Sequence, residues 1–382
     1  MDAALRRLLV LVSAVVLVDV CFFSAITPLL PWYRDELGLS KAETGVLAAA
    51  YAIGTLAASL PAGWLASKWG ARPTLLAGLG LLAGACVAFG FGRSFEVLVV
   101  ARLIQGVGGA ASWSAGMAWL ISVAPREQRG QMIGIALGTA VAGAIGGPVV
   151  GALAEELGTE LVFSTVAVIA TALAVGVVLT PGEGAAPATR GLAQALRSRS
   201  LLAGIWLTAL PALFFGAFNV LIALRLDDEG VSAAGVAAVF LVAAAVEAAI
   251  SPFVGRFADR AGTLRPLRFG VLGVVLASAI FPVPQTALLI GAVAVAAAVA
   301  AGLCFTPAMA MLSGAAEGAG LTQGVAFGFV NLAWAGGQIG GSAGGAGLAD
   351  VTSDAVPFVV LGVLAALTLV SLLRPRVVSA HG

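Results

Sequence analysis

Charge is what this sequence has least of. Only 10% of its 382 residues are charged while 60% are hydrophobic, and the mean hydropathy is +1.06. So little charge cannot give an apolar core a solvated skin, which excludes a water-soluble globular domain and leaves lipid as the covering. Histidine is nearly missing, with His381 in the tail as the single copy. No span carries histidine or HExxH, so neither a nucleophile–histidine hydrolase site nor a zinc hydrolase site can be built within the spans, and any proton relay must use carboxylates. Cys21, Cys86 and Cys304 sit in apolar runs without a CxxC, which excludes a disulfide framework and a zinc site. Neither a metal nor a cofactor is expected. A net charge of +1 gives no reason to expect nucleic acid or an acidic partner.

What is present in excess is glycine, 50 residues of it, which suits helices packed closely in lipid. A membrane-crossing helix needs about 20 apolar residues. Breaking the chain at charged and Pro/Gly clusters predicts twelve spans: 8–30, 41–64, 73–92, 96–123, 130–153, 161–179, 201–224, 231–254, 266–283, 286–313, 322–348 and 355–373. The first follows Arg6 and Arg7 and is too long for a cleaved signal, so it reads as a retained span. An even number of spans puts both termini on one side. The ends and even loops hold fifteen basic residues against four (Arg34, Lys41, Arg93, Arg225) in the odd loops, which predicts cytoplasmic termini. Scarce lysine beside abundant Ala, Gly and Arg suggests a GC-rich bacterial source, and with it the inner membrane.

The longest connection, rich in Pro, Gly and Arg, falls between spans six and seven. It predicts a first six-helix bundle over 1–180, a cytoplasmic linker over 181–200 and a second bundle over 201–382. The halves repeat. Gly63 to Gly70 matches Gly255 to Gly262 at an offset of 192, and Ile145 to Pro148 matches Ile339 to Ser342 at 194. A duplicated six-helix unit with a site between its halves is a transporter architecture.

Four local patterns resemble the major facilitator superfamily, and together they cover essentially the whole chain. The loop Gly63, Ser67, Lys68, Gly70, Arg72 is similar to that family's G-x-L-a-D-r-x-G-r-k signature, repeated at Gly255, Arg256, Asp259, Arg260 and Gly262. Arg102, Gln105 and Gly106 resemble its R-x-x-Q-G motif, and Gly143, Gly147, Pro148 and Gly151 its G-x-x-x-G-P-x-x-G-G antiporter motif. Arg129 and Gly130, opening span five, complete the set. The resemblance implies an all-α membrane protein of twelve helices in two pseudo-symmetric bundles, rocking about a central cavity lined by spans one, four, seven and ten. It implies loop charges that gate the cytoplasmic side, where Ser67 replaces the usual acid and Asp259 keeps it. Ser67 offers a helix cap without charge. The glycines at intervals of four form one stripe for close helix packing, while Pro148 bends its span.

Three ionisable residues lie within spans, where each is costly unless paired or hydrated: Asp19, Arg102 and Glu247. Desolvation favours a neutral carboxyl and a nearby guanidinium favours the anion, so an acid moving between such environments loads and releases protons. Asp19 and Arg102 are therefore expected to couple transport to protons, a static Asp19–Arg102 ion pair being the alternative. Glu247, close to the cytoplasmic third of span eight, reads either as a second protonation site or as an acid paired near Arg256. Helical spacing groups Gln105 and Trp113 with Arg102; Asn331, Trp334 and Gln338 on span eleven; Phe215, Phe218 and Asn219 on span seven; and Phe22 and Phe23 with Asp19. A largely aromatic cavity with a few amides suits a lipophilic or amphipathic solute. The expected protein is thus a monomeric, proton-coupled exporter of small organic compounds, not an enzyme. A symporter that imports a metabolite, or a receptor or scaffold that moves nothing, are the alternatives.

Overall fold

The computed structural model describes residues 3–125, 128–180, 198–283, 286–319, 321 and 323–374. Among these, twelve long helices follow the predicted spans: α1 (Ala3–Ala25), α2 (Lys41–Trp69), α3 (Ala71–Gly90), α4 (Phe95–Val123), α5 (Arg129–Leu157), α6 (Thr159–Leu179), α7 (Arg199–Asp228), α8 (Ala233–Ala261), α9 (Leu264–Ile280), α10 (Ala287–Gly318), α11 (Gln323–Ile339) and α12 (Ala355–Leu373). Two are broken near one end. After α1 comes a 3-10 turn, Thr27–Leu29, and a short helix, Leu30–Leu37, while α11 passes through a π-helical segment, Gly340–Gly345, into Ala346–Val351. The predicted first span, 8–30, crosses that break: α1 starts five residues earlier and ends before the prolines at 28 and 31, each of which removes a backbone donor. Ten helices are long and apolar enough to cross a membrane; α9 and α11, at 17 residues each, fall short as unbroken helix. The expected linker falls almost wholly on 181–197, outside the described residues.

The halves repeat in backbone detail. Gly38 and Gly230, 192 apart, both hold φ in the left-handed region (63° and 78°), as do Gly70 and Gly262 (95° and 80°) at the ends of α2 and α8. A side chain is strained at such φ, so these turns require glycine. Between them, Ser40 and Ser232 cap α2 and α8 by accepting from the backbone N–H three residues on. Packing repeats too. In the first half α1 packs on α5, α2 on α4, and α3 on both α4 and α6. In the second, α7 packs on α11, α8 on α10, and α9 on both α10 and α12. Separate aromatic cores form around Phe22, Phe89 and Phe163 and around Phe214, Phe218 and Phe358. The halves meet through α2 against α11 and α5 against α8.

Glycine sets the helix spacing where lipid supplies no hydrophobic force. A Cβ on Gly143 or Gly147 would come within 2.7 and 2.6 Å of the Leu17 and Cys21 carbonyls of α1, and one on Gly151 would strike that of Ala25. The second half does the same with Gly337 and Gly341, 194 residues on, against the Ala209 and Leu213 carbonyls of α7. The stripe resembling an antiporter motif is therefore a packing device used in both halves. Pro148 has Ser342 as its counterpart, inside the π segment that α5 lacks.

Candidate functional site

Close approach of α2 and α4 builds the site. A Cβ on Gly54 would strike the Leu103 carbonyl, and one on Gly106 the Tyr51 carbonyl, so the two backbones touch there. That contact carries Tyr51 over the Arg102 turn. Tyr51 Oη donates to Asp19 Oδ2 at 2.9 Å, and Trp113 Nε1 donates to the same oxygen at 3.2 Å. Asp19 is fully buried, and its Oδ1 has no hydrogen-bond partner. Gly109 leaves the room for this arrangement, since a Cβ there would lie 2.7 Å from Tyr51 Oη and 2.8 Å from Asp19 Oδ2.

Arg102, also fully buried, makes no ion pair with Asp19, which speaks against the alternative of a static pair. Its Nη1 donates to Gln105 Oε1 at 2.5 Å, one turn along α4, and its Nη2 to the Phe23 carbonyl at 3.3 Å. Its Cζ lies 5.4 Å from the Tyr51 ring centroid and 5.6 Å from that of Phe23. Tyr51 thus separates the two charges, giving its hydroxyl to the acid and its ring to the guanidinium. The geometry suits cation–π attraction, which is strongest where water is excluded. Sequence reasoning passed over Tyr51. A tyrosine hydroxyl buried in an apolar run needs a partner, and that is the signal it carried.

The network reaches the second half through rings. Trp334 of α11 meets Phe23 edge-on at 5.4 Å and Tyr51 at 6.3 Å. Beside them a cavity of about 20 Å³ lies between the halves, its polar lining supplied by Thr27, Arg102, Asn219, Gln338 and Ser342. Gln338 is buried with its Oε1 unpartnered. Phe215 is half-buried and packs on Phe218. Two of the expected cavity aromatics turn the other way. Phe22 is buried against Phe89 and Phe163, and Phe218 against Phe214 and Phe240, each in the core of its own half. Successive turns of a tightly packed helix face different neighbours, so sharing a face with Asp19 or Asn219 did not bring these rings to the interface. Asn331 is half-buried on α11. Glu247 stands fourteen residues from each end of α8, because α8 runs on to Ala261 past the apolar stretch Ala233–Ile250, within which Glu247 lies near the end that leads to the Gly255 loop. Its side chain packs over Gly302 of α10, where a Cβ would come within 2.8 Å.

Of the loop residues, Gly63 faces open space, a Cβ on Gly70 would meet Pro73 at 3.7 Å, and Lys68 lies over the Trp64 ring of its own helix at 4.8 Å. Arg72 donates to the Val178 carbonyl at the end of α6, within its own half and not to the other. Arg268 does the same for Leu372 at the end of α12, at 2.6 Å. The last carbonyls of a helix lack internal partners, and a nearby cation satisfies them. Arg260 is exposed, while the side chains of Ser67, Arg256 and Asp259, the whole of Gly255's surroundings, and the Arg129 side chain lie outside the description.

Ion pairs that join the halves sit at the opposite face, among residues sequence reasoning used only for topology. Arg34 binds Asp227 at 2.7 Å and Asp228 at 3.0 Å. Lys41 binds Asp354 at 2.6 Å, and its backbone N–H donates to Asp350 at 3.1 Å. These pairs tie the halves together at the face carrying the odd loops, beside a cavity of about 270 Å³ lined by Trp32, Asp35, Glu155 and Asp227.

Comparison with known proteins agrees with this architecture. The family model described as Major Facilitator Superfamily matches residues 12–337. The chain is 36% identical over 122 residues to an uncharacterized MFS-type transporter of Schizosaccharomyces pombe, covering 30% of this chain and 27% of that one. It is 30% identical over 109 residues to the quinolone resistance protein NorA of Staphylococcus aureus, 28% of each chain. These matches span only about a quarter of the curated relatives' own length. The fold is similar to that of the human organic anion transporter MFSD10 (TETRAN), with a TM-score of 0.74 and 17% identity over 97% of this chain and 100% of that one.

Proposed function

The chain belongs to the Major Facilitator Superfamily, and from that premise we propose that it exports small hydrophobic or amphipathic organic compounds in exchange for protons. That it is a multi-pass secondary transporter and not an enzyme follows from the family and the fold. Coupling, direction and solute are the proposal. The observation that carries it is Asp19: a carboxylate six residues from the end of α1, fully buried, held by two donors on one oxygen with the other left free. That free oxygen is a place for a proton. A carboxyl that gains one keeps Oδ2 as an acceptor but loses the charge that strengthens its bonds from Tyr51 and Trp113, so protonation and the packing of α1 against α2 and α4 are linked. Glu247 and Arg102 complete the proposed coupling set.

Export is supported by the relationship to NorA, whose name marks a drug-resistance protein. The basic residues support cytoplasmic termini, and scarce lysine beside abundant Ala, Gly and Arg supports placement in a bacterial inner membrane. On that orientation the face tied by the Arg34 and Lys41 pairs is external, which supports reading those pairs as an outer lock that favours the inward-facing state. The gating loops around Gly63 and Gly255 would close the inner side on rocking, about a monomer divided at 181–200. Liposomes holding the purified protein test the direction: an acid interior drives a transported dye inward under exchange with protons, and an alkaline interior does so under symport. Absence of dye movement in either case, with binding retained, supports a receptor instead.

A further inference from the structure

A buried guanidinium normally faces a carboxylate, because a lone charge out of water is expensive. Arg102 does not. It is completely buried, yet its hydrogen-bond acceptors are the neutral Gln105 amide and the Phe23 carbonyl, and its Nε has no partner. Asp19 is occupied by Tyr51 and Trp113, and no carboxylate oxygen of the described residues lies within 4 Å of the guanidinium. Arg102 nevertheless lines the cavity between the halves, opposite Asn219 and Gln338. Ala48, Ala52 and Gly216 line it as well and leave the space unfilled by side chains.

We propose that this cavity receives the anionic head of the solute, so that the transported class is amphipathic organic acids with Arg102 as the head-binding residue. The inference deepens the transporter reading and rests on it. The cavity, about 20 Å³, is of the order needed for one water. Only a small head enters it, and the body must lie alongside. Next to it stand the Phe23 and Tyr51 rings, tilted at 44° to each other, with Trp334 of the other half edge-on to both, a surface for a flat apolar body. Asn219 supplies amide N–H groups that can share the head with the guanidinium, as planar charge-assisted recognition of a carboxylate requires.

The test uses the purified full-length protein with three probes of one shape: naphthylacetate, its methyl ester and naphthylethylamine, at fixed ionic strength. The acid should bind about tenfold or more tighter than the ester, with the amine weakest, as a charge-assisted bond to a buried guanidinium implies. In Arg102→Gln the advantage of acid over ester should vanish while ester binding persists. Arg102→Lys should keep part of it. Ala52→Leu, which fills the cavity and leaves the guanidinium in the protein, should weaken the acid about tenfold and the ester far less. No preference for the acid in the wild type, or a preference that survives both Arg102→Gln and Ala52→Leu, overturns the proposal. Proton-driven flux of a dye without acid preference would overturn it and leave the exporter reading standing. Acid preference without any response of flux to a proton gradient would do the reverse.

Discussion

Tyr51 donates its hydroxyl to Asp19 Oδ2 at 2.9 Å from a helix whose backbone touches α4 at Gly106. The bond ties α2 to α1 at the depth where the carboxylate is buried, with Trp113 as the second tie from α4. Replacing Tyr51 with Phe removes one tie and keeps the ring over Arg102. Flux driven by a proton gradient should fall about tenfold, as expected for the loss of one charge-assisted bond, with little change in melting temperature. An equal loss in Tyr51→Phe and Tyr51→Ala would show instead that the ring and not the hydroxyl matters.

Gly109 and Gly106 separate function from packing on one helix face. A methyl on Gly109 meets side-chain oxygens of Tyr51 and Asp19, whereas one on Gly106 meets the Tyr51 backbone. Side chains yield more readily than backbone. Gly109→Ala should fold and lose gradient-driven flux, while Gly106→Ala should lose about 1–3 kcal/mol of stability through overpacking. Thermal melts beside flux measurements check both; equal destabilisation by the two would contradict the distinction.

The glycine stripes give a second comparison across the halves. Gly147→Ala and Gly341→Ala press on equivalent carbonyls, those of Cys21 and Leu213. Both should lower the melting temperature and reduce transport alike. If Gly147→Ala alone abolished transport in a stable protein, the first stripe would have a role in exchange beyond packing.

The outer lock consists of exposed and half-buried ion pairs. Each such pair is worth about 0–1 kcal/mol, a population shift of up to roughly fivefold. Arg34→Ala with Lys41→Ala should move the population towards the outward-facing state, seen by double electron–electron resonance as a longer distance between labels on the odd-loop ends of α1 and α7. Exchanging charges, Lys41→Asp with Asp354→Lys, should restore the wild-type distribution. Ser67→Asp, which adds the missing acid to the inner loop, should push the same way as breaking the lock. Unchanged distances in these variants would remove both gates from the account.

Legibility from sequence followed the physics that each feature obeys. Twelve helices could be read because lipid demands long apolar runs and charges mark their ends. Asp19 and Arg102 stood out because charge inside such a run is costly. Tyr51 did not, since a tyrosine among alanines looks like any amphipathic ring until its hydroxyl's partner is known. Helical spacing put Phe22 and Phe218 beside the right neighbours but could not say whether a ring turns towards the other half or into its own core. The lock was hidden by distance along the chain: Arg34 and Asp227 are 193 residues apart, Lys41 and Asp354 313 apart. The stripe of Gly337 and Gly341 was present in the sequence, but only its carbonyl neighbours reveal it as the twin of Gly143 and Gly147.

The central claim is that Asp19 carries the coupling proton. Its most direct test is dye accumulation in acid-interior liposomes by wild type and Asp19→Asn, alongside dye exchange at equal pH on both sides. Asn keeps the side chain's shape and its capacity to accept from Tyr51 and Trp113 while removing the titratable group. The account predicts that the variant exchanges dye at equal pH yet accumulates none under the gradient, whereas the wild type does both. Accumulation by Asp19→Asn at the wild-type level would contradict it.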